Sequence, residues 1–179
     1  MIRLFAALEV PPDVGEDLFP RQRGLPGARW RPPESLHVTL RFYGEVQEAA
    51  AADLDAELAL VRTAPFELAL EGVGAFGEGH QLHAIWAGVA DSEPLRVLAG
   101  RCERAARRAG VKVEARAYRP HVTLAYLDRH ADPARIADWI TANALLRSPP
   151  WQVSWFGLWS SWRTPHGSRY DLEREYPLV

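Results

Sequence analysis

Apolar and polar positions follow two kinds of pattern along the chain, and each pattern predicts one kind of element. Alternating apolar residues predict half-buried strands, whereas longer segments rich in Ala, Leu, Glu and Asp predict helices. The predicted strands are 1–10, 35–43, 66–71, 81–89 and 118–127, and a closing hairpin joins 151–162 to 169–176 through a turn at 165–168. The predicted helices are 13–19, 47–62, 92–109 and 132–146, and the Gly- and Pro-rich segment 21–33 is predicted to be a loop.

Two of the predicted helices carry clear start signals. Ser92 is the expected N-cap of the third helix, with a glutamate and a proline in the first turn and Gly110 as its stop. Asp132 and Pro133 form a cap followed by proline at the first helical position, where the missing N–H costs nothing. These signals fix where the third and fourth helices begin.

The order of the elements predicts an α+β fold with antiparallel sheets. Strands follow one another in pairs and helices come between the pairs, so the regular alternation of a parallel α/β fold is absent. A chain of 179 residues suits one compact domain or two small lobes that share a core, and we expect residues 1–179 to form one such domain.

A tetrapeptide recurs on two of the predicted strands. His37-Val38-Thr39-Leu40 reappears 84 residues later as His121-Val122-Thr123-Leu124. Strict alternation along a strand separates the two faces of each copy. The polar faces are expected to carry His37, Thr39, Arg41 and Tyr43 in one copy and His121, Thr123 and Ala125 in the other; the apolar faces carry Leu36, Val38, Leu40 and Phe42, and Val122, Leu124 and Tyr126.

If both polar faces line one cleft, two imidazoles and two hydroxyls meet there. Imidazole titrates near neutral pH, so one ring can accept a proton from water while the other donates one to a leaving oxygen. Each such transfer contributes about 10²–10⁴ in rate. The threonines can hold phosphate oxygens, and this chemistry needs no metal. The alternative is two ordinary strands whose histidines are satisfied structurally.

Composition and charge narrow the classes of function. A net charge of −2 gives no global basic field for long nucleic acid, although one phosphate needs only a local cluster of donors. Lys112 is the only lysine, and its setting argues against a nucleotidyl-lysine ligase. Nearly all of the basic residues are arginines, which can bind phosphate oxygens in a bidentate way. A GC-rich genome would also explain the preference for arginine over lysine. No signal peptide or apolar span is evident, so we expect a soluble, cytoplasmic protein.

Weaker signals are interpreted structurally. The G-x-G-x-x-G string at 72–77 is predicted to be a turn, because no helix opens after it. His80 and His83 lack further metal ligands nearby, and Cys102 is expected to be structural. Four of the seven tryptophans fall between 151 and 162 and are expected to pack in the core, although they or Tyr118 could stack an RNA base.

With these residues in place, the chain resembles the two-histidine (2H) phosphoesterase superfamily and, within it, the LigT-like RNA 2′,3′-cyclic phosphodiesterase or 2′-5′ RNA ligase family. The resemblance runs nearly end to end. It rests on Arg3-Leu4-Phe5-Ala6, Ser35-Leu36-His37-Val38-Thr39-Leu40-Arg41-Phe42-Tyr43-Gly44-Glu45-Val46, Gly72-Val73-Gly74-Ala75-Phe76, Arg116-Ala117-Tyr118-Arg119-Pro120-His121-Val122-Thr123-Leu124-Ala125, Ser160-Ser161 and Gly167-Ser168-Arg169-Tyr170.

The resemblance implies a bilobed, pseudo-two-fold fold with a central cleft. It also implies opening of RNA 2′,3′-cyclic phosphate ends to 2′-phosphates, and ATP-independent 2′-5′ joining in reverse, without metal, cofactor or obligate protein partner. His121 would be the base that acts on water, and His37 the acid that protonates the leaving 3′ oxygen. The two roles exchange in the joining direction.

The sequence departs from the family pattern at Tyr126, where relatives often carry Arg or Lys. The expected phosphate contact is therefore missing, and Arg41 is the candidate to replace it. Arg116 and Arg119, which lead into the second motif, and Tyr118 are further candidates for substrate binding.

Three alternatives stay open from the sequence. The first keeps the chemistry but changes the substrate to another cyclic nucleotide, such as ADP-ribose cyclic phosphate, or to a 2′-5′-linked oligonucleotide. The second is a non-catalytic RNA-binding or tRNA-handling module whose histidines only bind phosphate. The third is a metallohydrolase that uses the histidines as ligands.

Overall fold

The protein was analysed as a computed structural model that describes residues 1–114, 116–165 and 167–179. Its helices are α1 (Pro12–Leu18), α2 (Glu48–Leu58), α3 (Glu93–Arg108) and α4 (Pro133–Asn143). Its strands are β1 (Ile2–Glu9), β2 (Ala28–Trp30), β3 (His37–Val46), β4 (Phe66–Leu68), β5 (Leu70–Phe76), β6 (Ala84–Val89), β7 (His121–Leu127), β8 (Trp151–Val153), β9 (Trp155–Thr164) and β10 (Gly167–Pro177). Residue 166, in the predicted turn at 165–168, lies outside the described residues.

The strands pair throughout in antiparallel fashion, which confirms the predicted α+β class. The main sheet has the order β10-β9-β1-β3-β7-β6-β5, and β2 also pairs with β7. β4 and β8 form a separate two-stranded sheet. The two halves of the main sheet meet where β3 pairs with β7, through the single residue pair Val38 and Val122. These two valines occupy the same position in the two copies of the motif, so a pseudo-two-fold axis passes between them.

Both predicted helix caps are present. The Ser92 hydroxyl accepts a hydrogen bond from the backbone N–H of Leu95 at 3.3 Å, and the Asp132 carboxylate accepts one from Ala134 at 2.9 Å. α3 buries an apolar stripe that includes Leu95, Leu98 and Cys102 against β3 and α2. α3 therefore covers the face of β3 that lies behind the first motif. None of the described helices is long and apolar enough to cross a lipid bilayer.

Three sequence-based boundaries were wrong. The predicted loop 21–33 contains β2, because a strand of three residues is too short to show a periodicity yet still pairs with β7. Residues 72–76 lie inside β5, and the chain turns later, at Gly77, whose φ of +95° favours glycine. The segment 151–162 divides at Ser154, because β8 leaves the hairpin to pair with β4.

The terminal tryptophans do not all pack as expected. Trp151, Trp155 and Trp159 are half-buried, but Trp162 is 45% exposed. β1 pairs with β9 only from Gly157 to Ser160. At Trp162, β9 therefore has a neighbouring strand, β10, on one side only. The core-packing prediction is therefore wrong for Trp162.

Candidate active site

The junction of the two half-sheets brings the two His-x-Thr motifs together. Because Val38 pairs with Val122 in antiparallel register, His37 lies across from Thr123, and Thr39 lies across from His121. The two histidines are then diagonal neighbours, a relation that typically places Cβ atoms about 7–8 Å apart. The positive charge of His121 also contributes to lowering the pKa of His37, after burial and the charge of Arg31.

A β-bulge interrupts both motifs at the same position. Thr39 pairs with Ala7 and Arg41 with Ala6, so Leu40 has no partner residue in β1. Leu124 is skipped in the same way between β7 and β6. A bulge inserts one residue and reverses the alternation of side chains beyond it. The pseudo-two-fold symmetry therefore includes this irregularity.

Because of the bulges, several side chains lie on the opposite face of the strand from the one predicted. Phe42 and Tyr126 were expected on the apolar faces, but they are 46% and 37% exposed. Tyr43 and Ala125, expected on the polar faces, are buried. Arg41 likewise leaves the face predicted for it, because its guanidinium forms an ion pair with Glu103 of α3.

His37 is held by a backbone carbonyl and two aromatic rings. Its Nδ1–H donates to the carbonyl of Ser35 at 2.9 Å, which leaves Nε2 as the nitrogen free for chemistry. Phe5 lies 5.1 Å from the imidazole between ring centroids, and Tyr170 meets the ring edge-on at 5.2 Å. Burial lowers the pKa of His37 to about 4, and the positive charges of Arg31 and His121 add to this effect.

His121 has an equivalent environment in the other half. Its Nδ1–H donates to the carbonyl of Arg119 at 2.6 Å, so the accepting carbonyl lies two residues before the histidine, as it does for His37. Phe76 meets its ring edge-on at 4.8 Å, and Trp86 lies 6.5 Å away. Burial lowers the pKa of His121 as well. Each histidine is thus oriented in the same tautomer.

The burial of His37 predicts a pH dependence of stability. An exposed imidazole has a pKa of 6.5 and folded His37 about 4, so the unfolded chain binds more protons at His37 between these pH values. The free energy of unfolding should therefore fall as the pH drops through this window, by about 2–3 kcal/mol from this residue. Urea titrations at pH 7.5 and 4.5 measure the loss. In His37→Asn the loss should be smaller by that amount, and an equal loss in both proteins would contradict the prediction.

The two threonines present unused hydroxyls. Thr39 and Thr123 are half-buried. Within the part of the chain that the structure describes, neither hydroxyl hydrogen bonds to another protein group. Because each lies opposite the other motif's histidine, both can donate to one anion held between the rings.

The other predicted binding residues are engaged elsewhere. Arg41 is paired with Glu103, which also binds Arg107 at 2.7 Å. Arg116 pairs with Glu114 at 3.2 Å in an exposed position. The Arg119 side chain is exposed, and its contribution to the site is the carbonyl that orients His121.

Tyr118 is a structural neighbour of the first motif. Its hydroxyl donates to the carbonyl of Thr39 at 3.1 Å, and its ring is half-buried. Burial raises the pKa of Tyr118, so the hydroxyl stays protonated and keeps this hydrogen bond. Tyr118 thereby ties the segment before β7 to β3.

Arg31 is the residue that the sequence reasoning missed. It follows β2, in the segment predicted to be a loop, and its guanidinium lies over the rings of Tyr126 and Tyr170, at 5.7 and 5.3 Å from their centroids. No motif or periodicity marks this position. It is recognised only from the pairing of β2 with β7.

A cavity of about 370 Å³ opens beside His37. Its aromatic lining comes from Phe5, Trp159 and Tyr170, and two carboxylates, Glu9 and Glu34, also line it. Flat aromatic surfaces suit stacking of a nucleobase. Arg169 also lines the cavity, but its guanidinium is paired with Asp171 at 2.7 Å. The two carboxylates disfavour a phosphate inside the cavity, so its chemistry fits a neutral ring with hydrogen-bond donors.

Residues considered for metal or thiol chemistry lie apart from this arrangement. Among residues 1–114, 116–165 and 167–179, no group of three or more His, Cys, Asp or Glu side chains is placed to hold a metal ion. His83 is exposed, and its ring stacks on Phe76. Cys102 is fully buried in α3, and burial raises the pKa of its thiol to about 12.

Comparison with known proteins identifies the family of the chain. The sequence profile of the 2′-5′ RNA ligase superfamily matches residues 11–164. A protein of Archaeoglobus fulgidus named RNA 2′,3′-cyclic phosphodiesterase is 30% identical over 172 residues, which cover 94% of this chain and 96% of that protein. A protein of the same name from Methanocaldococcus jannaschii is 25% identical over 178 residues, 98% of this chain and 100% of that protein.

Solved structures show the same fold. TT0787 of Thermus thermophilus superposes with a TM-score of 0.81 at 26% identity, over 99% of this chain and 98% of that one. E. coli LigT complexed with 3′-AMP gives a TM-score of 0.81 at 24% identity, over 99% and 98% of the two chains. The family expected from the paired motifs is confirmed. The chain belongs to the 2′-5′ RNA ligase superfamily.

Proposed function

We propose that the protein is an RNA 2′,3′-cyclic phosphodiesterase that opens the cyclic phosphate to a 2′-phosphate by acid–base catalysis between His37 and His121. The observation that carries the proposal is the pairing of Val38 with Val122, which sets the histidine of each motif opposite the threonine of the other. The names of the Archaeoglobus and Methanocaldococcus relatives support the substrate class.

The reaction needs one neutral and one protonated imidazole. The neutral ring takes a proton from water through Nε2 as the water oxygen forms its bond to phosphorus. The bond from phosphorus to the 3′ oxygen breaks, and the protonated ring gives that oxygen its proton. The hydroxyls of Thr39 and Thr123 donate to the non-bridging oxygens, where negative charge accumulates. Protons balance over the step, and the two rings exchange protonation states.

Two arguments assign the acid and base roles to the two rings in opposite ways. The resemblance assigns the base to His121 and the acid to His37. Burial and the charge of Arg31 instead keep His37 neutral in the free protein at pH 7, as a base must be. Burial also lowers the pKa of His121, but without a contribution from Arg31, and a bound phosphate anion favours the protonated form of a nearby imidazole. We propose that His37 is the base and His121 the acid for hydrolysis.

The substrate is proposed to be a short or terminal RNA segment. The net charge of −2 gives no field that would hold a long duplex. The cavity beside His37 is proposed to seat the nucleoside, with its base against Phe5, Trp159 or Tyr170. The same steps with a 5′ hydroxyl in place of water would join it to the 2′,3′-cyclic end through a 2′-5′ bond, with the 3′ oxygen as leaving group and without ATP. We propose that the protein works in the cytoplasm, without a metal, cofactor or obligate protein partner.

Phosphorus NMR of the purified protein tests the function. A 2′,3′-cyclic mononucleotide and a cyclic-ended oligonucleotide are each incubated with and without EDTA. A 2′-phosphate product that forms at the same rate in EDTA is the expected result, because both protons are moved by imidazole. A 3′-phosphate product, or loss of turnover in EDTA, would contradict the mechanism. Absence of turnover with intact phosphate binding would instead indicate a non-catalytic binding module.

A further inference from the structure

Arg31 carries a positive charge without a protein counter-ion at the junction of the two half-sheets. Its Nη2 atom is buried and has no hydrogen-bond partner among the described residues. No described carboxylate forms an ion pair with it. The Arg31 residue as a whole is half-buried. Partial burial of a charge without a counter-ion carries a cost, which a bound anion would offset.

The backbone around Arg31 is fixed from both sides. Its N–H donates to the carbonyl of Leu124 at 2.7 Å, and its own carbonyl accepts from the Gln22 side chain at 2.9 Å. The same Gln22 nitrogen also donates to Leu124, at 3.3 Å. Pro32 follows and restricts the next backbone angle. The position of Arg31 is therefore tied to the bulge of the second motif.

The side chain of Arg31 is oriented by two tyrosines. The guanidinium lies over Tyr126 on one strand and over Tyr170 on another. Each cation–π contact contributes about 0.5–2 kcal/mol, and a stacked guanidinium keeps its N–H edge free for an oxygen acceptor. Tyr170 also contacts the ring of His37, which places the guanidinium beside the catalytic pair.

We propose that Arg31 is the phosphate-binding cation of this protein, and that Tyr126 and Tyr170 form the platform that aims it at the non-bridging oxygens of the cyclic phosphate. The inference rests on the proposed function and gives it a binding residue. It accounts for Tyr126, which stands where relatives often carry a basic residue. The charge comes from the residue that follows β2 instead of from β7, and the tyrosine becomes its support.

Arg41 is a weaker candidate for the same role. Its guanidinium is already paired with Glu103, and moving it to a phosphate would break that ion pair and leave the carboxylate with Arg107 alone. Arg31 has no such partner to give up. The preference for Arg31 therefore follows from the partners of the two side chains.

Kinetics of Arg31 variants test the proposal. Arg31→Ala should lower kcat/KM for a 2′,3′-cyclic mononucleotide by about 10²–10³, the usual loss when one preorganised donor to developing charge is removed. Arg31→Lys should recover only part of it, because an ammonium keeps the charge but loses the planar fork and the stacking. Arg23→Ala, an exposed arginine in the same segment, serves as the matched control. Unchanged kcat/KM in Arg31→Ala, or a loss confined to Arg41→Ala, would overturn the proposal.

Two readouts separate anion binding from folding. The Kd for inorganic phosphate, followed by phosphorus NMR, should rise at least about tenfold in Arg31→Ala and stay unchanged in Arg23→Ala. The pKa of His37, followed by its Cε1–H proton signal, should rise when Arg31 is removed, since that charge lowers it in the wild type. If Arg31→Ala does not fold, Arg31→Gln keeps the length and removes the charge, and it should show the same losses.

The same measurements distinguish failure of the inference from failure of the proposed function. Wild-type protein that binds phosphate through Arg31 but opens no cyclic phosphate would refute the phosphodiesterase and leave Arg31 as an anion-binding residue. Wild-type protein that opens cyclic phosphates, with Arg31→Ala equal to it in kcat/KM and phosphate Kd, would refute the role of Arg31 alone.

Discussion

Replacing either His37 or His121 with alanine is expected to lower the turnover of a 2′,3′-cyclic nucleotide at least about a hundredfold. Each variant removes one of the two proton transfers. His83 also bonds the carbonyl two residues before it, at 3.2 Å, but it lies beside Leu127, at the far end of β7 from His121. The measurement is kcat for a cyclic mononucleotide by phosphorus NMR or a coupled assay. His130→Ala, an exposed loop histidine, is the control and should match the wild type.

The double variant sharpens this prediction. When two groups act as one unit, removing both costs little more than removing one. His37→Ala/His121→Ala should therefore be about as slow as the worse single variant. Normal turnover in either single variant, with the fold confirmed by circular dichroism, would refute the two-histidine mechanism. Losses that multiply in the double variant would show that the two rings act independently.

A substrate with sulfur at the 3′ bridging position separates acid from base. A thiolate leaves without protonation, so the variant that lacks the acid should regain much of its rate on this substrate, while the variant that lacks the base should not. We expect recovery in His121→Ala and none in His37→Ala. Recovery in His37→Ala alone would restore the division implied by the resemblance and refute the one inferred from burial.

The motifs could be predicted from the sequence because their chemistry and their strand pattern are local. His37 and His121 each precede a short run of alternating residues, and alternation alone places each threonine on the same face as its histidine. The α+β class was predictable for a similar reason, because the order of elements is read directly from periodicity and caps. These features require no knowledge of which strands pair.

The bulges and Arg31 could not be predicted because they depend on pairing between distant segments. Leu40 and Leu124 look like ordinary apolar positions, and only the registers of β3 with β1 and of β7 with β6 show that they are skipped. Because these two residues are skipped, Tyr126 lies on the exposed face of the sheet and Arg41 lies next to Glu103. Arg31 reaches the site because β2 pairs with β7, close to where β3 leaves it.

Two glycines near the site, one in each half of the sheet, leave no room for a Cβ atom. Gly74 lies directly beneath the ring of Trp86, and a Cβ there would collide with the indole that supports His121. A Cβ at Gly157 would collide with Trp159, two residues on along β9, and with Leu172; the Trp159 ring lines the cavity beside His37. In both halves, a missing side chain makes room for a tryptophan near the site. The G-x-G pattern around residue 74 thus reflects packing within β5.

Removing the hydroxyl of Thr39 or of Thr123 is expected to lower turnover strongly as well. Thr39→Val and Thr123→Val keep the β-branched shape of the strand residue but remove a donor aimed at the developing charge, so each should lower kcat by about 10²–10³. Thr→Ser at either position keeps the hydroxyl and should retain most of the rate. Thr141→Val, on the exposed face of α4, is the control for the substitution itself. Because the two hydroxyls lie on opposite sides of the pseudo-two-fold axis, similar losses at both positions would show that one phosphate is held between them. A large loss at one threonine with none at the other would place the phosphate against a single motif, and the symmetric site would be wrong.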